Sequence, residues 1–133
     1  MSIEAGLTAE VSFVVEEKHL ATEMGSGLVS VFSTAMLVAG MEAAAVKALQ
    51  PYLESGFTTV GVHVDIRHQA ATPLGMKVTF SAILEEVSKN GKGFRFKVLA
   101  KDEVGQIGKG VHERVLVNKD IFEQKTSNRK SAD

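Results

Sequence analysis

Glu42, His68 and Thr34 are the side chains whose type and setting suggest chemistry. Between Val31 and Leu49 only Glu42 and Lys47 are charged. Five residues apart on a helix sets them about 140° from each other, so they share no solvent stripe. The helical neighbours of Glu42 are Val38, Ala39, Ala45 and Val46, which places a carboxylate within an apolar face. A carboxylate in such a place needs a partner or a task. The plain alternative is a surface glutamate on a helix of different phase.

His68 closes a segment in which Val60, Val62, Val64 and Ile66 alternate with Gly61, His63, Asp65 and Arg67. Period two puts His68 with the valines, at the point where the strand leaves for a turn. That position suits proton transfer, although a structural histidine fits it as well. Thr34, or Ser33 before it, is a helix-capping residue by type, and a hydroxyl at a helix start can also meet a carbonyl or anionic oxygen. Gly61 leaves a gap on the other face of its strand, as glycine does where a ligand or backbone comes close. Of the remaining histidines, His63 falls on the opposite face, His19 lies in a charged connector, and His112 is out of phase with Val111, Val115 and Val117. No pair has convincing metal-ligand spacing, so no metal is expected.

These residues need elements to hold them. A β-rich stretch within Leu7–Val15 reads as an edge strand, and Met24-Gly25-Ser26-Gly27 as a flexible loop. Ser33 to Leu49 is the one strong helix, rich in Ala, Leu and Met and stopped at Gln50-Pro51. Strands follow at Thr59–His68 and Lys77–Val87. Asn90-Gly91 then turns the chain into a strand carrying Phe94, Phe96, Val98 and Ala100, and Ile107–Val117 is the last. A helix apolar nearly all round must be covered on most sides, and a curved sheet can wrap it. The order predicts an α+β hotdog fold, with five antiparallel strands around one helix. Residues 1–123 form this single domain, and Gln124 to Asp133 reads as a polar tail without structure. An open sheet edge favours pairing, as a homodimer or dimer of dimers.

Composition narrows the function. The 133 residues are 44% hydrophobic and 23% charged, with 15 basic and 16 acidic side chains, so nothing favours nucleic acid. Cysteine is absent, which excludes thiolate metal sites and a cysteine nucleophile. Met1-Ser2-Ile3-Glu4-Ala5 has no signal-peptide pattern, and Met24–Met41 is too polar for a membrane span. A cytoplasmic protein is expected.

The runs Phe32-Ser33-Thr34-Ala35 and Met41-Glu42-Ala43-Ala44, with Val60-Gly61-Val62 and His68-Gln69-Ala70-Ala71-Thr72-Pro73-Leu74-Gly75, resemble hotdog-fold acyl-CoA thioesterases of the fluoroacetyl-CoA thioesterase type. The likeness extends from Glu4 to Val117 and includes His112-Glu113-Arg114-Val115. It implies Thr34, Glu42 and His68 as the catalytic set, Gly61 and Arg114 as substrate-binding residues, and CoA as part of the substrate with no further cofactor. The family's fluoroacetate specificity rests on a lid bearing aromatic side chains, and the matching stretch Met24–Leu28 has none. The expected roles are Glu42 as general base or nucleophile, His68 as proton shuttle coupled to Glu42, and Thr34 as a positioning hydroxyl. A non-catalytic acyl-CoA binding module, or a hydratase or dehydratase, is the alternative on this fold. One difficulty stands: eight helical residues separate Thr34 from Glu42 by about 12 Å along the axis, too far for both to touch one carbonyl.

Overall fold

A computed structural model describes residues 3–131. In chain order it contains β1 (Thr8–Val14), α1 (Ala21–Met24), α2 (Thr34–Leu49), β2 (Phe57–His68), β3 (Lys77–Val87), β4 (Gly93–Lys101), β5 (Gln106–Asn118) and α3 (Lys119–Asn128). The strands form one antiparallel sheet in the order β1-β3-β4-β5-β2, so β1 and β2 are its two edges. The sheet is not closed, and α2 packs across its inner face.

β3 and β4 sit in the middle and show the clean alternation of strands buried on one face. Val78, Phe80, Ala82 and Leu84 from β3, with Phe94, Phe96, Val98 and Ala100 from β4, are all buried in the core. From α2 they receive Leu37, Met41, Ala44, Ala45, Ala48 and Leu49. Gly40 sets how close the two layers come: a Cβ built there would lie 2.5 Å from the Phe80 ring. The small residues of the helix therefore serve helix–sheet packing at this point.

The sheet packs on one side of α2, and Ala35, Ala39, Ala43 and Lys47 on its other side are exposed. Alanine contributes so little side-chain area that an Ala stripe reads as apolar in sequence while tolerating water.

β5 also differs from expectation. Its helix-facing side carries Gly108, Gly110, His112, Arg114 and Leu116, whereas Val111, Val115 and Val117 are half-buried on the outer face. In β2 the ladder with β5 slips between Gly61 and His63, so that Val62 is left over as a bulge. Before the bulge Thr59 and Gly61 face α2, opposite Leu116 and Arg114; after it Val64, Ile66 and His68 do, opposite His112, Gly110 and Gly108. The single valine face inferred from period two therefore breaks at Val62, and Gly61 belongs to the inner face, not the outer one.

The predicted tail is also revised. Asn118 caps α3 by accepting from Ile121 N at 3.1 Å, and the helix runs past Gln124 to Asn128 before a 3-10 turn at Arg129–Ser131. Every residue from Lys119 to Ser131 is exposed. The Asn cap and helix-forming Lys, Glu and Gln residues suffice locally, without apolar periodicity. The ends of the sequence named above, Met1-Ser2 and residues 132–133, lie outside the described residues. Among the described residues no helix is long and apolar enough to cross a membrane.

Gly40→Ala should destabilise the fold by about 1–3 kcal/mol, the usual range for overpacking, because Phe80 in the middle of the sheet cannot retreat. Urea denaturation checks this; an unchanged midpoint would show that the helix simply slides outward.

Candidate active site

Ser33, not Thr34, caps α2: its Oγ accepts from Met36 N at 3.0 Å and donates to Met24 Sδ at 2.8 Å. Thr34 is thus the first helical residue, and its hydroxyl is free of capping. It meets His68 Nδ1 at 2.7 Å. Two strands of chain are tied together around this pair. Phe32 N donates to Thr72 O at 2.9 Å, and the buried Thr72 hydroxyl donates to Asp102 Oδ2 at 2.8 Å. The segment leading into Thr34 is thereby bound to the turn that follows His68.

His68 Nε2 is buried and, among the described residues, takes no hydrogen bond. One ring nitrogen is therefore engaged by Thr34 while the other is available. The pair lines a cavity of about 320 Å³ together with Ala21, Ser26, Val31 and Ala71. Burial pushes the His68 pKa below the ordinary histidine value, against an opposing pull from the Ala70 backbone.

Glu42 lies elsewhere. Its Oε2 accepts from Arg114 Nη1 at 3.1 Å, and a Cβ built on Gly61 would sit 2.5 Å from that oxygen. A side chain at this position would displace the carboxylate from the place it holds here. Arg114 is itself buried and fixed by Thr59, with Nε donating to Thr59 Oγ1 at 2.8 Å and Nη2 to Thr59 O at 2.9 Å. Its Nη1 also meets His112 Nε2 at 3.1 Å. A buried guanidinium is costly unless paired and fully hydrogen-bonded, and this one has both a carboxylate and three further acceptors. The Glu42 side chain remains 39% exposed, so the carboxylate is anchored yet open to water and ligand.

The structure thus joins Thr34 with His68, and Glu42 with Gly61 and Arg114. It does not join Glu42 with His68, so the expected coupled titration of those two has no contact to carry it within one chain. Both groups line a single seam between α2 and edge strand β2. His112 and Thr59 were not picked out from the sequence. The available signal was the period-two run Gly108, Gly110, His112, Arg114, which the neighbouring valines obscured. His63 is exposed, and His19 is a core residue against Phe13 with ring centroids 4.8 Å apart. Among the described residues no group of three or more His, Cys, Asp or Glu side chains forms a metal site.

Comparison with known proteins gives the family. Residues 15–120 match the family model for the fluoroacetyl-CoA-specific thioesterase. This chain belongs to that family. A curated fluoroacetyl-CoA thioesterase from Streptantibioticus cattleyicolor is 41% identical over 95 residues, which is 71% of this chain and 67% of that protein. A solved structure of the fluoroacetyl-CoA thioesterase FlK superposes with a TM-score of 0.90 at 32% identity, covering 96% of this chain and 98% of that chain. A FlK variant solved in complex with fluoroacetate and CoA gives a TM-score of 0.84 at 33% identity, over 90% of this chain and 99% of that one. The family is one of hotdog-fold thioester hydrolases.

The buried histidines have a consequence for pH. His68 and His112 both titrate below the ordinary histidine value of 6.5 in the folded state, with burial the largest cause in each. The unfolded chain then binds more protons than the folded one around and below that value. Stability is therefore full above about pH 6.5 and is lost as pH falls through it. Urea midpoints measured from pH 7.5 to 5 should decrease, and a flat profile would show that neither histidine is held neutral.

Proposed function

We propose that this thioesterase hydrolyses an acyl-CoA to free acid and CoA, with the thioester lying along the α2–β2 seam. The single observation that carries the reading is a carboxylate anchored through one oxygen by a buried arginine, on the same seam as a histidine with a free ring nitrogen. Hydrolysis needs an oxygen nucleophile at the carbonyl and a proton for the departing thiolate. Among the described residues no hydrogen bond reaches Glu42 Oε1, so this oxygen is the one to draw a proton from water or to attack the carbonyl. His68 carries the proton, oriented at Nδ1 by the Thr34 hydroxyl and exchanging through Nε2. Gly61 and Arg114 complete the binding surface. The CoA-bound FlK variant supports a CoA thioester as substrate, and no cofactor beyond it is needed.

The reading includes a homodimer. β2 is an edge strand of 12 residues, with Val62 57% and Val64 39% exposed. A long apolar edge left open would pair with any similar strand, and a second copy of the chain is the partner that closes it. Such a pair would also cover the seam. A CoA thioester as substrate supports a cytoplasmic enzyme.

In an assay of thiol release over a panel of acyl-CoAs, Glu42→Ala should lower kcat/KM by at least about 10²-fold, the low end for removing a positioned acid–base group. Glu42→Gln should do the same while keeping an acceptor for Arg114. His68→Ala should slow turnover strongly and His63→Ala little. Equal losses for the two histidine variants would make His68 a structural residue, and acyl-CoA binding without any thiol release would reject the enzyme reading. Light scattering at micromolar concentration should give twice the mass of one chain; a monomer throughout would reject the dimer.

A further inference from the structure

His112 is the titratable group that the proposed reaction leaves unused, and it is among the most deeply buried side chains, at 1% exposure. It stands on the inner face of β5 between Val64 of β2 and Phe96 of β4. Its Nδ1 lies 2.8 Å from His63 O, next to the bulge. A carbonyl only accepts, so Nδ1 carries the proton. Its Nε2 lies 3.1 Å from Arg114 Nη1, and an arginine only donates, so Nε2 accepts. The two contacts fix one tautomer of a neutral ring. The 3.9 Å from Nε2 to Glu42 Oε2 is accordingly a neighbouring distance and not an ion pair.

The effect on the site follows from the geometry of the guanidinium. Arginine has five N–H donors in a rigid plane. Thr59 takes one from Nε and one from Nη2, and the two on Nη1 are divided between His112 Nε2 and Glu42 Oε2. The acceptor at His112 thus takes the Nη1 proton that Glu42 does not, and adds a third anchored nitrogen to the plane that Thr59 holds at Nε and Nη2. We propose that His112 is a positioning residue: as the neutral Nδ1–H tautomer it holds Arg114 and through it fixes Oε2 of Glu42, leaving Oε1 free to react. The proposal rests on the reading of Glu42 as the reacting carboxylate. Desolvation, the largest influence on the His112 pKa, lowers it, and the Arg114 charge adds to this while Glu42 and the His63 carbonyl oppose it. Protonation would set donor against donor at Nη1 and remove that third anchor.

Two substitutions divide the functions of the ring. His112→Gln can place its amide oxygen near the former Nε2 and keep the acceptor for Arg114. His112→Asn is shorter, reaches only the His63 carbonyl, and removes that acceptor. In thiol-release kinetics, His112→Asn should lower kcat by about 10- to 10²-fold, as expected for a misplaced reacting group, with KM little changed. His112→Gln should recover most of that loss. Imidazole nitrogen NMR of the wild-type protein should show His112 as the neutral Nδ1–H tautomer at neutral pH. A purely structural role predicts that both variants lose activity only in step with melting temperature, and that result would overturn the proposal, as would unimpaired turnover in His112→Asn. The tautomer measurement needs no variant, so an Nε2–H tautomer overturns the proposal even if His112→Asn does not fold. An Nε2–H tautomer alongside an inactive Glu42→Gln would sink the His112 proposal alone. Wild-type turnover in Glu42→Gln would sink the function assigned to Glu42, and this proposal with it.

Discussion

The extra residue at Val62 is the constraint on which the site depends. A regular strand shows alternate residues to one face, so positions 61 and 68, an odd number apart, would face opposite ways. The bulge changes the phase by one. Gly61 and His68 then both face α2, one under Glu42 and the other beside Thr34. Without it, either the carboxylate would lose its glycine gap or the threonine would lose its histidine. Bulges occur preferentially at sheet edges and next to active sites because they re-aim side chains at small cost to the ladder. Here β2 is an edge strand, so only the ladder with β5 has to absorb the irregularity.

The helix supplies the complementary geometry. Ser33 accepts the capping hydrogen bond, which leaves Thr34 unencumbered on the first turn. Two turns further on, Glu42 projects over the same strand. Gly40 and Phe80 set the layer spacing, while Gly61 sets the clearance for the carboxylate. The same device, a missing Cβ, therefore serves packing at one place and chemistry at the other. It differs from the conformational use of glycine at Gly25, Gly75 and Gly91, whose φ values of 75°, 90° and 74° lie in the left-handed region.

Sequence legibility followed burial. β3 and β4 lie in the sheet interior with one face on the core, so the pattern of Val78, Phe80, Ala82 and Leu84 and of Phe94, Phe96, Val98 and Ala100 was readable by eye. The proposed site residues Thr34, Glu42, His68, Gly61 and Arg114 were chosen by type, position and family resemblance. Their pairing could not. Period-two reasoning has no means of placing a bulge, so it put Gly61 on the wrong face and gave β5 a valine face that turned out to be the outer one. His112 was passed over for the same reason. The helix at Lys119–Asn128 was missed because an exposed helix held by a cap and local propensity has no apolar period to detect.

The electrostatics of the seam explain why one carboxylate and two neutral rings can coexist there. Among the described residues Arg114 supplies the only positive charge in contact with Glu42, and it is held by Thr59 from the opposite side. A mobile lysine would neutralise the carboxylate equally well but would not fix its orientation, whereas a guanidinium held at three nitrogens does. The two histidines are kept neutral mainly by burial, so neither competes with Arg114 for Oε2. One of them, His112, has both nitrogens engaged and is confined to holding the arginine. The other, His68, has one nitrogen engaged and one free, and only a ring in that condition can accept a proton on one side without breaking the contact that orients it on the other. In the proposed mechanism the difference between the supporting histidine and the reacting one is thus a single unpartnered nitrogen.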